Sequence, residues 1–460
     1  MLYNQSLRKS DPLSVRSKRM RTILPALCAC LTLLLAPNSR AARASTAPLP
    51  PVVIIPGAPG TELVDRRTGE RVWPSPTLMA LRWDGNNRLA LPLDDPESSP
   101  VVPGELLRVI RVGRLKFRIT AYDGLEAKLR ATGYHAGSWD RPGGAGEYFY
   151  FPYDWRQSVE TSGRRFSRAL EELYRRMPPD TPPAVVLGHS LGGLVARYAL
   201  MYGDVALGES GPLPPVTWAG GSRIGTLFLV ATPNKGTFTA LKYLEKGSFY
   251  RWHIGAFSPG MLFTFRSVFD MLPAHVEPLI DGNGEALPFR LDDPEDWERL
   301  GWSVVAPRRR SATPHAVLRA HLNRELARHA RLHAALAQIA STPNPAVLYA
   351  VGSLAQTVQR TALVTGQSGR MKVRFEPSRR GRDLAPLLFE PGDSMIPVRS
   401  LTAEESSHDP ASSLFFRSVR HSARSHQGLL SSPEMLEALT EVLAGDPKGS
   451  RSTVASGSPQ

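Results

Sequence analysis

A single stretch, residues 184–202, constrains the fold more than any other part of the chain. The apolar run Ala184–Leu187 leads into Gly188-His189-Ser190-Leu191-Gly192, and a helical pattern then continues to Tyr202, just before Gly203. Such a run is typical of a buried strand, and a glycine after a helical pattern indicates the helix end. The Gly-x-Ser-x-Gly spacing between strand and helix predicts a sharp turn that exposes Ser190 at a helix N-terminus as a nucleophile. The alternative is an ordinary glycine-rich turn.

Other buried strands and helices alternate around this turn. Val52–Ile55 and Thr226–Val230 are apolar runs rich in β-branched residues, and Ser162–Met177 places its apolar residues on one helical face. A helix is also predicted over Asp123–Thr132 and a strand over Tyr148–Tyr153. This alternation predicts an α/β fold with a mostly parallel central sheet and helices on both faces.

The alternation breaks in two regions. Residues 61–120 are predicted to be irregular, with Trp73 and Trp83 among prolines, asparagines and aspartates. Residues 235–313 are rich in aromatic residues, glycine and proline, and a long helix is predicted over about 315–340. We interpret about 235–345 as a cap or lid inserted into one domain, residues 45–445, rather than as a separate domain.

The C-terminal third of the chain returns to regular patterns. We predict a strand at Val347–Val351, a hairpin formed by Thr361–Thr365 and Met371–Phe375, and a last helix at Ser431–Leu443. Ser431 and Glu434 have the spacing of a capping box at the start of that helix. Residues 446–460 are predicted to be a disordered polar tail.

The first 44 residues have the pattern of a secretory signal peptide. A basic segment precedes the apolar run Ile23–Ala36, and Ala42-Arg43-Ala44 offers a cleavage site, so the mature chain would begin near Ser45. This predicts an exported protein, periplasmic or secreted; the alternatives are a retained membrane anchor or lipid modification at Cys30. Because Cys28 and Cys30 are the only cysteines, the mature chain would have no disulfide and no cysteine metal site.

The net charge of +14 does not by itself indicate a nucleic-acid partner. The first 44 residues hold eight Lys or Arg and one acid, which accounts for half of that charge. The remaining arginines follow no RNA-binding or zinc-finger pattern. A basic surface that meets anionic lipid or polysaccharide is the interpretation we favour.

A serine nucleophile needs a histidine base and an acid that orients it, and in this kind of fold they follow the serine in the order acid, then histidine. We select His426, because a loop precedes it and a helix follows it; His421 and His408 are the alternatives. The histidines between 315 and 333 are predicted to lie on a solvated helix face. For the acid we select Asp393, in a turn after a strand, with Asp383 as the alternative. Asp393 could also merely cap that turn.

The oxyanion of the tetrahedral intermediate requires two backbone N–H donors. Leu191 directly follows the nucleophile, and Ala58 lies in the loop after the first strand. Pro59 has no N–H group to offer. We therefore predict Ala58 and Leu191 as the oxyanion donors.

With these residues in place, the chain resembles the lecithin:cholesterol acyltransferase family of α/β-hydrolases. The resemblance rests on six ordered blocks: Val-Ile-Ile-Pro-Gly (53–57), Tyr-Asp-Trp-Arg (153–156), Gly-His-Ser-Leu-Gly-Gly (188–193), Ala-Thr-Pro-Asn-Lys-Gly (231–236), Gly-Asp-Ser-Met-Ile-Pro (392–397) and Ser-His-Gln-Gly-Leu-Leu (425–430). Tyr-Asp-Trp-Arg is the most specific block, whereas many unrelated hydrolases share the serine turn. We interpret Asp154 in this block as structural, with a role in the site as the alternative.

The resemblance implies an α/β-hydrolase fold with Ser190, Asp393 and His426 as a catalytic triad. It also implies that the aromatic segments near 73–83 and 249–269 act as lid and acyl-binding surface. Unlike the animal members, this chain has no cysteine for a disulfide near the lid.

The expected activity is acyl transfer from a lipid or phospholipid ester, through an acyl-enzyme, to a sterol, another lipid alcohol or water, without metal or organic cofactor. The alternatives are a carboxylesterase of simpler soluble esters and, from another class, a binding protein that keeps the fold without catalysis. The expected partners are a lipid substrate and a lipid interface rather than nucleic acid, and the oligomeric state is left open.

Overall fold

The structure is a computed structural model that describes most of the chain after the predicted signal peptide. The described ranges are 48–75, 87–112, 115–249, 256–274, 279–306, 313–367, 370–376, 383–403 and 408–445. The predicted signal peptide with both cysteines, the predicted C-terminal tail, Trp83 and part of the 249–269 aromatic segment lie outside the described residues.

Seven strands form the central sheet, and every neighbouring pair in it is parallel. In chain order they are β1 (Val52–Ile55), β2 (His135–Ala136), β3 (Glu147–Tyr150), β4 (Ala184–His189), β5 (Ile224–Val230), β6 (Val347–Ser353) and β7 (Phe416–Ser422). Across the sheet the order is β7-β6-β5-β4-β1-β3-β2. The predicted parallel sheet is confirmed, and β1 and β4 lie beside each other near its centre.

The central strands are buried on both faces, which explains why their sequences are apolar without interruption. In β1, Val53 and Ile55 belong to one hydrophobic cluster, whereas Val52 and Ile54 belong to another. Successive side chains of a strand point to opposite faces, so both faces of this strand need apolar residues.

Helices cover both faces. The longer ones are α1 (Asp123–Ala131), α2 (Val159–Arg176), α3 (Leu191–Tyr202), α4 (Phe238–Lys246), α5 (His315–Leu336) and α6 (Pro433–Leu443). Apolar residues of α2, α3 and α5 join the cluster of Val53, whereas those of α1 and α6 join the cluster of Val52. This arrangement is the α/β-hydrolase fold predicted from the sequence.

The segment between β5 and β6 contributes to the main core. Besides α4 and α5, the described residues of this segment form short elements. These are the strands Ser248–Phe249, Ala256–Phe257, Leu279–Ile280 and Ala286–Leu287, the helices Pro259–Leu262, Arg266–Asp270 and Pro294–Arg299, and a 3-10 turn at Ser303–Val305. Its aromatic residues Phe257, Phe263, Trp297 and Trp302 are buried in the same cluster as Val53.

Residues 61–120 are more regular than predicted. Thr61–Asp65, Arg71–Trp73 and Val101–Leu106 form a three-stranded antiparallel sheet, and Val109–Val112 pairs with Leu115–Arg118. Two 3-10 turns lie between them, at Asn87–Leu89 and Pro96–Ser98. The prediction was wrong because these strands are short, carry polar residues and in one case contain Pro103 and Gly104, which depress strand propensity.

The C-terminal third follows the prediction, with one correction at a helix cap. The hairpin is present as Leu363–Gln367 and Arg370–Arg374, and Gln356–Gln359 pairs with Phe389–Gly392; short helices lie at Ala385–Leu388 and Val398–Thr402. The last helix is capped by Ser432, whose side chain accepts a hydrogen bond from Met435 N, and not by Ser431. Ser431 instead donates its hydroxyl to the carbonyl of Ala121.

Some predicted boundaries shift by a few residues. The helix predicted from Ser162 starts at Val159, because Ser158 accepts a hydrogen bond from Thr161 N and caps it. The strand predicted over Tyr148–Tyr153 ends at Tyr150, and the helix predicted to reach 340 ends at Leu336.

Candidate active site

Ser190 lies in a tight turn between β4 and α3. Its backbone is left-handed, with φ of 53°, a conformation that is strained for a residue with a side chain. The flanking glycines are required by close approach: a Cβ on Gly192 would lie 2.4 Å from Ile55 O, and one on Gly188 would lie 2.5 Å from Gly193 Cα. The local sequence therefore builds the predicted strand–turn–helix with the serine at its apex.

Asp393 and His426 come together from two parts of the chain: Asp393 follows the strand Phe389–Gly392, and His426 begins a 3-10 helix, His426–Ser431. Asp393 Oδ2 lies 2.8 Å from His426 Nδ1, and the backbone N–H of His426 donates to Asp393 O at 3.1 Å. The second carboxylate oxygen, Oδ1, accepts from Met395 N at 2.9 Å and from Ile396 N at 2.7 Å. Asp393 is thus fixed on both oxygens and can orient the imidazole ring.

The environment of Asp393 favours its charged form. The side chain is almost completely buried, which by itself would raise the pKa. The charge and hydrogen bond of His426 and the two backbone N–H groups outweigh this desolvation, so that the pKa of Asp393 lies below its ordinary value. An ionised carboxylate in this position stabilises a protonated His426.

Ser190, His426 and Ala58 line one cavity of about 310 Å³. Leu191 directly follows Ser190 and is the first residue of α3, where backbone N–H groups have no acceptor inside the helix. Asp393 lies behind His426, on the other side of its ring from Nε2. The structure therefore brings the five residues selected from the sequence to one place.

The alternatives lie elsewhere. His421 is an exposed residue of strand β7, and His408 is exposed as well. Asp383 is exposed and accepts a hydrogen bond from Ala385 N at the start of a short helix. None of these three residues lines the cavity of Ser190.

His189 is a residue of the site that the sequence reasoning did not select. Its ring is buried and lies 5.1 Å from the ring of His426, and its Nε2 is 3.1 Å from the carbonyl of His426. Burial, reinforced by the neighbouring His426, lowers the pKa of His189 to about 3. A neutral His189 with its proton on Nε2 therefore donates to the backbone of the loop that carries His426. In the sequence, its position directly before Ser190 is the feature that could have indicated a role in the site.

Apolar side chains form most of the cavity wall. They come from the segment between β5 and β6 and from the segment between β1 and α1, and include Leu107, Phe257, Leu262, Phe265, Val268 and Met271. Thr237 and Thr239 line the cavity too, and their hydroxyls both donate to Met395 O, at 2.6 and 3.0 Å. The segment after β5 is thereby bonded to the turn that holds Asp393.

The Tyr-Asp-Trp-Arg block holds the loop after β1 in place through hydrogen bonds. The Arg156 guanidinium is fully buried, pairs with Asp154 at 2.7 Å and donates to Leu89 O and Val101 O. Asp154 is therefore structural, as interpreted from the sequence. Tyr153 donates its hydroxyl to Pro56 O at 2.9 Å, and Trp155 Nε1 donates to Thr61 O at 2.9 Å. These two bonds hold both ends of the loop that contains Ala58.

The predicted solvated face holds for His315, which is exposed, but not for the other three histidines of α5. His321, His329 and His333 are buried, and the rings of His321 and His333 bond to the carbonyls of Phe263 and Asp270 at 2.9 Å each. The prediction was wrong because the segment before α5 packs over this face of the helix. Burial lowers the pKa of all three, which are therefore neutral core residues.

The described ranges contain neither a metal-binding cluster nor a membrane-spanning helix. No group of three or more His, Cys, Asp and Glu side chains in these ranges is arranged to hold a metal ion. In the same ranges, no helix has the length and apolar character required to cross a bilayer.

The comparison with protein families concerns the middle of the chain. Residues 141–281 match the family model of lecithin:cholesterol acyltransferase. The predicted resemblance to this family is confirmed. The matched range contains Ser190 and the Tyr-Asp-Trp-Arg block, whereas Ala58, Asp393 and His426 lie outside it. The match supports an acyltransferase or ester hydrolase.

Two further proteins resemble the chain. The uncharacterized protein YJR098C of Saccharomyces cerevisiae is 25% identical over 272 residues, which are 57% of this chain and 35% of the yeast protein. The chain thus spans about a third of the length of this curated relative. A chain in the crystal structure of the Tle4–Tli4 complex superposes with a TM-score of 0.54 at 16% identity, over 86% of this chain and 96% of that one. At this identity the likeness concerns the fold alone.

Proposed function

We propose that the protein is a serine-dependent lipid acyltransferase or phospholipase that passes a fatty acyl group through an acyl-enzyme. The observation that carries the proposal is the buried Asp393–His426 pair, whose histidine opens into the same apolar cavity as the strained Ser190. The lecithin:cholesterol acyltransferase match over residues 141–281 supports this class of reaction.

The first half of the reaction forms the acyl-enzyme and gives each of the five residues a role. Because Asp393 accepts the Nδ1 proton of His426, the Nε2 atom is left unprotonated as a base. His426 takes the hydroxyl proton of Ser190 while Oγ attacks the acyl carbonyl carbon. The N–H groups of Ala58 and Leu191 stabilise the oxyanion that forms. When the ester bond breaks, His426 returns the proton to the leaving alcohol and the acyl group remains on Ser190.

In the second half an alcohol or water takes the acyl group by the reverse steps. The mostly apolar lining disfavours water in the cavity and so favours a lipid alcohol, such as a sterol, over hydrolysis. The same walls favour fatty-acyl esters over small soluble ones, and a lipid interface is then the natural partner. No step requires a metal or an organic cofactor.

Acyl-labelled phospholipid, incubated with the protein with and without a sterol, tests this function directly. We expect label in free fatty acid without sterol and partly in sterol ester with it, and no turnover in Ser190→Ala. Activity on soluble short esters without any rise above substrate micelle formation would favour the simple carboxylesterase. If the protein turns over no ester and a serine-reactive phosphonate fails to label it, the enzyme proposal is wrong.

Export is part of the proposal and concerns residues outside the described ranges. The basic and apolar pattern of residues 1–44 supports a cleaved signal peptide. N-terminal sequencing of the exported protein is expected to begin near Ser45. A chain that retains residues 1–44 in the membrane fraction would instead indicate an anchor.

A further inference from the structure

A second cavity, of about 350 Å³, lies beside the cavity of Ser190. Ile119, Ala121 and Gln427 line both, so the two cavities meet along these residues. Gln427 directly follows His426. A group in the second cavity would therefore lie on the side of the site where His426 protonates the leaving alcohol.

The second cavity is electropositive. Arg118 and Arg424 line it together with hydroxyl and amide side chains, and no acidic residue is part of its described lining. Arg118 is paired with Asp123 at 3.1 Å. Arg424 forms no such ion pair within the described residues, and its charge acts on Glu434, whose pKa it helps to lower. Arg424 therefore contributes more of the uncompensated charge.

The side chain of Arg424 is partly held in place. Its aliphatic carbons lie over Gly428, where a Cβ would be 3.4 Å from Arg424 Cβ and 3.8 Å from its Cδ. The backbone N–H of Arg424 donates to Ser422 Oγ at 3.3 Å. These contacts position the backbone and the aliphatic part of Arg424, and a planar guanidinium can bind a phosphate with two parallel hydrogen bonds.

We propose that this second cavity is a headgroup subsite, in which Arg424 and Arg118 select acyl donors whose alcohol portion carries a phosphodiester without a cationic end. The inference rests on the proposed function, because it assigns the leaving side of the same ester. In a glycerophospholipid the phosphate and the ester share one glycerol, so an acyl carbonyl at Ser190 leaves the phosphate to reach the adjoining cavity. A quaternary ammonium group would be repelled by the two arginines.

Short-chain substrates below their micelle concentration test the subsite without an interface. We would measure kcat/KM for dihexanoyl-phosphatidylglycerol and dihexanoyl-phosphatidylcholine, and take their ratio for each variant. The wild type is expected to prefer the glycerol headgroup, and Arg424→Gln is expected to lower the ratio about tenfold. Arg118→Gln should lower it less, since Asp123 already compensates that charge, and Arg424→Lys should restore part of it.

The matched control is Arg290→Gln, an exposed arginine that also pairs with an aspartate and lies in neither cavity. It should leave the ratio unchanged. A wild-type ratio near one, or a ratio that falls equally in Arg290→Gln and Arg424→Gln, would overturn the subsite. Inorganic phosphate that inhibits the wild type but not Arg424→Gln, without any change in the ratio, would mean a site for free phosphate and would also overturn it. A wild type inactive on both phospholipids would contradict the proposed function itself.

Discussion

The turn at Ser190 and the Asp393–His426 pair are two halves of one site, but they are encoded differently. The turn is local, because β4, the glycines and α3 are consecutive in the chain. Glycine is required at 188 and 192, where a Cβ would lie 2.5 Å and 2.4 Å from backbone atoms. The pair joins two residues that are 33 positions apart in the chain and depends on hydrogen bonds from other elements. A local motif can be found from sequence spacing, whereas a pair of this kind requires the topology as well.

Ser190→Ala removes the nucleophile from the turn between β4 and α3, and we expect it to have the largest effect on activity. Loss of the nucleophile should reduce kcat on a chromogenic ester by about 10⁵-fold or more, because no other group of the site can form the acyl-enzyme. The melting temperature should change little, since alanine occupies the same backbone. The control is Ser210→Ala, at an exposed serine, which should be fully active. Residual activity above a hundredth of wild type would mean that another residue is the nucleophile.

Asp393→Asn removes the charge of the Asp393–His426 pair and keeps the size of the side chain. An amide no longer stabilises a protonated His426 and can hold the ring in the wrong tautomer, so kcat should fall about 10³- to 10⁴-fold. Asp383→Asn is the matched control, because its side chain caps a turn away from the cavity. Steady-state rates for the two variants decide between the carboxylates. Equal rates would contradict the assignment of Asp393.

The same contrast explains how much of the molecule the sequence could predict. β4, α3 and the other buried strands could be predicted because the residues of each element are consecutive in the chain and are buried in the same core. Asp393 and His426 were found because the order of acid and base along the chain limits the choice. Ser432 was missed as the helix cap because Ser431 has a suitable acid three residues later, although its hydroxyl is bonded to Ala121.

What the sequence could not predict depends on packing between distant segments. The sequence predicts His321, His329 and His333 on a solvated helix face, but in the fold they are buried because the segment before α5 covers them. His189 has no local signal for its bond to the carbonyl of His426, which lies 237 residues away. Short antiparallel strands in residues 61–120 have too few residues each for a clear alternation.

Gly192→Ala is expected to act on stability rather than on chemistry. Its Cβ would lie 2.4 Å from Ile55 O and 2.7 Å from Pro56 O, and these backbone atoms cannot move without displacing β1. We expect a loss of about 3 kcal/mol in the free energy of unfolding, measured by urea denaturation. Gly282→Ala is the control, because a Cβ there meets no atom within 4 Å. If both variants are equally stable, the turn is less constrained than its contacts indicate.

His189→Asn tests the contact between the two halves, and its expected effect is the smallest. The folded pKa of His189 is about 3, against an ordinary value of 6.5, so between these pH values the unfolded chain binds a proton that the folded chain does not. The stability contributed by the neutral ring is therefore complete above pH 6.5 and is lost as the pH falls. Asparagine can still donate to the carbonyl of His426 but does not titrate. The difference in unfolding free energy between wild type and variant should thus shrink by about 2 kcal/mol from pH 7 to pH 5. If that difference stays constant, His189 is not held neutral by the fold, and His408→Asn, at an exposed histidine, is the control.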